Sequence, residues 1–170
     1  MRCINNMKGF TILELIIVIV LIGILIPLFS NFIVDSFELF NTGLNRMNTN
    51  QRAEIALDTI AKFLRSSDEK PNKKLDSDND TLTFSSYNKN GIKENITIEL
   101  SGSEDNYNLL LDSKLVLENV IYFEIEDIDG NGTNFKINLK YNTESLLGNN
   151  TENEKFIIVH PKNLDNSSEE

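Results

Sequence analysis

The chain has 170 residues, enough for one modest domain plus a helix, and a formal net charge of −10 with 26 acidic against 16 basic side chains. An acidic surface repels phosphate backbones, so direct nucleic-acid binding is not expected without a local basic patch, and the sequence has none. Cys3 is the only cysteine and sits near the N-terminus, so no disulfide framework is available.

A short polar head carrying Arg2 and Lys8 leads into Gly9-Phe10-Thr11-Ile12-Leu13-Glu14 and then an apolar run reaching Phe29. From Leu15 to Phe29 nothing is charged. As a helix at about 1.5 Å per residue, the run nearly spans a hydrocarbon core of about 30 Å. It is longer than a secretory signal core, and no small-x-small cut site follows it, so the run is expected to stay with the protein. Arg2 and Lys8 place the amino end in the cytoplasm and the remainder outside. Glu14 is the anomaly, because a carboxylate inside a membrane helix costs about 2.5–3.5 kcal/mol and needs a partner. A cut between Gly9 and Phe10 would create an amino group on Phe10. A neighbouring copy could offer that amine to Glu14.

These residues resemble the class III signal of type IV pilins and type II secretion pseudopilins over about Lys8 to Leu25. The resemblance implies a leader of residues 1–9 removed by a membrane prepilin peptidase, with cleavage between Gly9 and Phe10. It further implies N-methylation of Phe10 and a role for Glu14 as the assembly carboxylate. Pro27 lies a few residues earlier than the proline that many members carry near the end of this segment, which leaves the position of any kink open. Implied partners are other pilin or pseudopilin subunits, the prepilin peptidase, an inner-membrane platform protein and the membrane itself, with no direct nucleic acid expected.

Residues 10–34 are then the transmembrane or filament-core helix, and residues 35–66 an amphipathic continuation. Ile33, Phe37, Phe40, Leu44 and Met47 recur at three- and four-residue spacing, and Ala53, Ala56, Leu57, Ile60, Ala61 and Leu64 carry the stripe onward. Gly43 and Asn48-Thr49-Asn50 weaken the middle. One long helix is expected from about residue 11 to 66.

Residues 66–80 contain Pro71, several charges and no apolar pair, and read as an exposed loop. Short alternating runs follow at Thr81–Tyr87, Asn95–Leu100, Tyr107–Leu111, Lys114–Leu117, Val120–Glu126, Phe135–Tyr141 and Phe156–Val159. Residues 67–162 are therefore expected to form a β-rich head, an antiparallel sheet whose apolar face the amphipathic helix covers. The fold class is α+β. The tail, 163–170, is polar and acidic and expected to be disordered.

Asp127-Ile128-Asp129-Gly130-Asn131-Gly132 reproduces the first half of an EF-hand loop, although Asn138 stands where the closing glutamate belongs. Two readings stay open: a hairpin turn, which Asp-Gly and Asn-Gly favour, and a weak calcium site on Asp127, Asp129 and Asn131. Asp76, Asp78 and Asp80 read as a solvated acidic loop, and His160 as a strand-end residue. No nucleophile elbow, phosphate loop or histidine pair is present, so no catalytic residue and no cofactor beyond that calcium is expected. Arg52 to Arg65 resembles the post-stalk helix of minor pilins of the PilW type and of J-type minor pseudopilins. Leu117 to Ile125 is similar to their sheet. A minor, tip-associated subunit is the implied role. The alternatives are an uncleaved single-pass membrane protein with an external binding domain, and an adhesive or DNA-uptake pilin.

Overall fold

The computed structural model describes residues 11–103, 106–143 and 150–161. Gly9, Phe10 and Cys3, with the rest of the leader, lie outside the described residues, as does the 163–170 tail. The chain divides into two compact units, one ending at Asn41 and one starting at Thr42. A single helix, α1, covers Ile12–Arg65 and contributes to both. It runs through Pro27 without interruption.

In the first unit every described residue of α1 is solvent-exposed, with Ile, Leu, Val and Phe side chains on all sides. A helix that is apolar all round has no core-facing stripe. Such a surface belongs in a membrane or in the interior of an assembly.

The second unit joins residues 42–65 of α1 to an antiparallel sheet of β1 (Lys73–Leu75), β2 (Thr81–Tyr87), β3 (Lys93–Ser103), β4 (Asn106–Leu111), β5 (Lys114–Asp127), β6 (Phe135–Thr143) and β7 (Thr151–Val159). The path is β2-β3-β4-β5-β6-β7, with β1 paired to β5. Ala53, Ala56, Leu57, Ile60, Ala61 and Leu64, the expected stripe, are all buried. All but Ala56 belong to one cluster with Phe84, Ile98, Leu109, Phe123, Ile137 and Tyr141 of the sheet. The stripe meets the sheet through its side chains, with Leu57, Ile60 and Leu64 filling the space between helix and strands. Leu44 and Met47, from the same expected stripe, stay exposed.

The end of α1 explains why serines are buried in an apolar core. The last carbonyls of a helix lack intrahelical donors. Here Ser66 Oγ donates to Lys62 and Phe63, and Ser86 Oγ donates to Phe63 O at 2.9 Å. Ser67 and Ser86 form an isolated bridge that stitches the helix exit to β2.

Two expectations are corrected. The 66–80 segment is not simply an exposed loop: Ser67, Pro71 and Leu75 are buried, and Lys73, Lys74 and Leu75 pair with Ile125, Glu124 and Phe123. Three residues carry too little alternation to announce a strand. Leu75, fully buried, was the one apolar signal. The runs 114–117 and 120–126 form a single strand, β5, with a register shift between Val120 and Tyr122 in its pairing with β6. Asn119 there adopts φ 60°, a conformation asparagine tolerates better than most residues. The irregularity resets which face each side chain takes, so Leu117, Val120 and Phe123 are all buried at three-residue spacing and period-2 reading breaks. Strand boundaries elsewhere lie within a few residues of those expected. β7 begins at Thr151, five positions before the expected Phe156, because its first half is charged.

Candidate functional site

The chemistry-bearing residues of the first unit lie at the start of α1. The backbone N–H and the hydroxyl of Thr11 both donate to Glu14 Oε2 at 3.1 Å, and Glu14 N donates back to Thr11 Oγ1 at 3.3 Å. This is a reciprocal capping box: the threonine satisfies an orphan amide in the first turn, and the glutamate satisfies the amide of the cap. Leu15 N also donates to Thr11 O at 3.2 Å. Sequence reasoning gave Glu14 no partner within the apolar run. It missed Thr11, one residue upstream of the run, although the Thr-x-x-Glu spacing is a recognisable signal.

Both bonds fall on one carboxylate oxygen. Among the described residues Oε1 of Glu14 has no partner. A carboxylate can accept about four hydrogen bonds, so the cap fixes Glu14 at the helix start without exhausting it. Beyond it, α1 is long and apolar enough to cross a membrane. The next charged residues along it are Asp35 and Glu38.

In the second unit the Asp127–Gly132 segment joins β5 to β6 as a tight turn. Asp127 Oδ2 accepts Gly132 N at 2.8 Å, and Asp127 Oδ1 accepts Asp129 N at 3.3 Å. Asp129 Oδ2 accepts Thr133 Oγ1 at 2.6 Å and the amide of Asn134. Gly130 and Gly132 take φ 67° and 75°. The two carboxylates thus cap the amides and side chains of their own turn. Across it, Lys70 Nζ donates to the Asn131 carbonyl at 2.5 Å, a tether from the helix exit to the hairpin that sequence spacing could not foresee. Among the described residues, no three His, Cys, Asp or Glu side chains form a cluster able to hold a metal.

The Asp76–Asp80 loop is likewise internally bonded. Lys73 Nζ meets Asp80 Oδ1 at 3.0 Å, and this bond holds the Asp80 carboxyl below its ordinary range. Asp78 Oδ1 accepts Gly102 N at 2.8 Å. His160 follows β7 directly and is exposed, as expected of a strand-end residue.

Residues 4–26 match the prokaryotic N-terminal methylation motif, the signal of type IV pilin-like prepilins. The match spans the Gly9-Phe10 junction, the Thr11–Glu14 cap and most of the apolar run. It supports the pilin and pseudopilin family, and with the apolar helix it fits a single-pass membrane anchor. No curated protein and no solved structure matches the chain.

Proposed function

We propose that this chain is a minor subunit of a type IV pilus or pseudopilus. In this reading it is cut between Gly9 and Phe10 by a prepilin peptidase, methylated on Phe10, and drawn into or made to prime a filament through α1. The observation that carries the reading is one capped carboxylate, Glu14, at the head of an exposed helical stretch that carries no charge from Leu15 to Val34, the start of which matches the methylation motif.

The chemistry of docking follows from that arrangement. In lipid, an ionised Glu14 is costly, and the first turn of α1 lowers the cost by holding it in hydrogen bonds. The ammonium of a neighbour's Phe10 would add an ion pair on the carboxylate oxygen left over, so docking need not break the cap. An apolar neighbour offers no such gain, and pairing therefore selects one axial register between subunits. Dispersion along the rest of the run adds contact area but little register. The minor-subunit assignment rests on the likeness of Arg52–Arg65 and Leu117–Ile125 to the corresponding stretches of such subunits. An inner-membrane platform protein and other pilins are the partners this reading implies.

The test is the intact mass and amino-terminal sequence of the protein taken from native membranes. A chain beginning at N-methylated Phe10 is expected. A chain still beginning at Met1, in cells that process other prepilins, would overturn the assignment and favour an uncleaved membrane anchor.

A further inference from the structure

Among the described residues, the last strand has one edge unpaired. β7 pairs with β6 continuously from Thr151 to Val159, without a bulge, and among the described residues nothing pairs with its other side. An open row of backbone donors and acceptors is a template for another strand, and sheets usually guard it with charge, proline or a bulge. Glu152, Glu154 and Lys155 guard the first half of β7. Phe156-Ile157-Ile158-Val159 has no charge or proline of its own, with only Lys136 of β6 lying over the Phe156 ring at 5.0 Å, and Phe156 and Ile158 are 61% and 47% exposed.

Between this edge and α1 runs a groove of about 430 Å³ lined by Glu54, Leu57, Asp58 and residues 154–157. Leu57, Phe156 and Ile157 supply its apolar surface. Lys155 bonds Glu54 at 2.5 Å, which neutralises one carboxylate. Asp58 and Glu154 have no cation within ion-pair distance among the described residues, and Glu154 accepts only the Tyr122 hydroxyl at 3.4 Å. A second copy of this chain fits poorly, because it brings a net charge of −10 and the same glutamates to the contact.

We propose that the β7 edge and this groove receive an extended segment of a different protein, added as a further strand. The segment is basic where it passes Asp58 and Glu154 and apolar where it passes Phe156 to Ile158. Main-chain hydrogen bonds give such addition its affinity, and alternate side chains give it specificity. The inference rests on the second unit alone and stands apart from the N-terminal reading.

The test uses the full-length chain in detergent micelles. The probe is a synthetic peptide with lysines at one end and alternating valine and threonine at the other, and the control carries glutamates for the lysines. Expected are saturable binding of the lysine peptide, slowed amide exchange in β7, and affinity at least about tenfold weaker in the Asp58→Lys, Glu154→Lys double variant. Both substitutions lie on exposed positions, so circular dichroism should match the parent. Ile158→Lys, on the apolar half, should weaken binding independently. No binding, equal binding of the control peptide, protection mapped elsewhere, or a β7-mediated homodimer that the peptide does not displace would overturn the proposal.

Discussion

The hydroxyl of Tyr141, on β6, donates to Asn50 Oδ1 of α1 at 2.7 Å, across 91 positions of sequence. Lys155 reaches the carbonyl of the same Asn50 at 3.4 Å and, one helical turn on, Glu54 at 2.5 Å. Arg46 donates to Thr151 Oγ1 at 3.3 Å. Helix and final strands are therefore joined by polar contacts along a seam that starts at Tyr141 in the apolar cluster and continues through side chains outside it, within a chain whose lone cysteine can supply no internal disulfide.

Tyr141 is fully buried, so Tyr141→Phe strands Asn50 without refilling anything and should cost about 1–2 kcal/mol in urea unfolding. Burial, followed by the nearby charge of Glu54, raises the Tyr141 pKa above its usual 10.0. A raised folded pKa means that this contribution is complete below pH 10 and is lost as pH rises through the folded value. The alkaline limb of the stability profile should therefore flatten in Tyr141→Phe.

Acid should act through a different pair of groups. Hydrogen bonds from Lys93 to Asp68 and from Lys73 to Asp80 hold both carboxyls below the ordinary 3.8. A depressed folded pKa contributes stability that is present above pH 3.8 and lost as pH falls through the folded values. Asp68→Asn and Asp80→Asn should each make unfolding less steep in that acidic window while shifting neutral-pH stability little, because both ion pairs lie at the surface, where solvent screens them. Thermal melts between neutral pH and about pH 2 would reveal the difference.

Leu75 is the only apolar residue of β1 and is fully buried against β5. Leu75→Ala should destabilise the head by about 2–4 kcal/mol, the range for a cavity left by a buried leucine. Lys74→Ala, on the same strand, loses a surface ion pair and a ring contact and should cost under about 1 kcal/mol. Equal losses in the two variants would mean that β1 matters as pairing alone.

The β4–β5 hairpin turns through Asp112 and Ser113, both at positive φ, 49° and 63°. Two left-handed residues in a two-residue loop match the twist of the strands, and glycine or asparagine usually occupies them. Asp112 is kept by its bonds to Thr97, through N at 2.8 Å and Oδ1 at 2.9 Å. Ser113 has no such bond among the described residues. Ser113→Gly should therefore raise the unfolding free energy by about 0.5–1 kcal/mol, and Ser113→Val should lower it.

Glutamine can serve in a capping box as glutamate does, so Glu14→Gln should leave the start of α1 and its processing intact. It removes the charge that an incoming amine would pair with. Under the proposed function, incorporation into sheared filaments should then fall about tenfold or more, given the size of a lost buried ion pair. Thr11→Val should instead weaken the helix start by about 1 kcal/mol and leave the carboxylate less fixed. Immunoblots comparing filament and membrane fractions separate the two effects.

The sequence by itself determined whatever depends on near neighbours. The apolar run is read from its length, and the stripe from Ala53 to Leu64 and the alternation of Thr81–Tyr87 and Phe135–Tyr141 from their period, so length and period together assign helix, strand and buried face. The N-terminal motif was legible for the same reason, since its parts lie within a few residues of one another. Tertiary structure decided what depends on distant partners. Lys73-Lys74-Leu75 becomes a strand only because Phe123 to Ile125 offers it an edge. Lys114–Asp127 becomes one strand because β4, β6 and β1 all pair with it across an irregularity that no single-strand pattern can express. Buried Ser86 has its reason in the carbonyl of Phe63, and Tyr141 has its hydroxyl's acceptor in Asn50. Such contacts are fixed by the free energy of packing a whole sheet against a helix, a quantity that no short window of sequence contains.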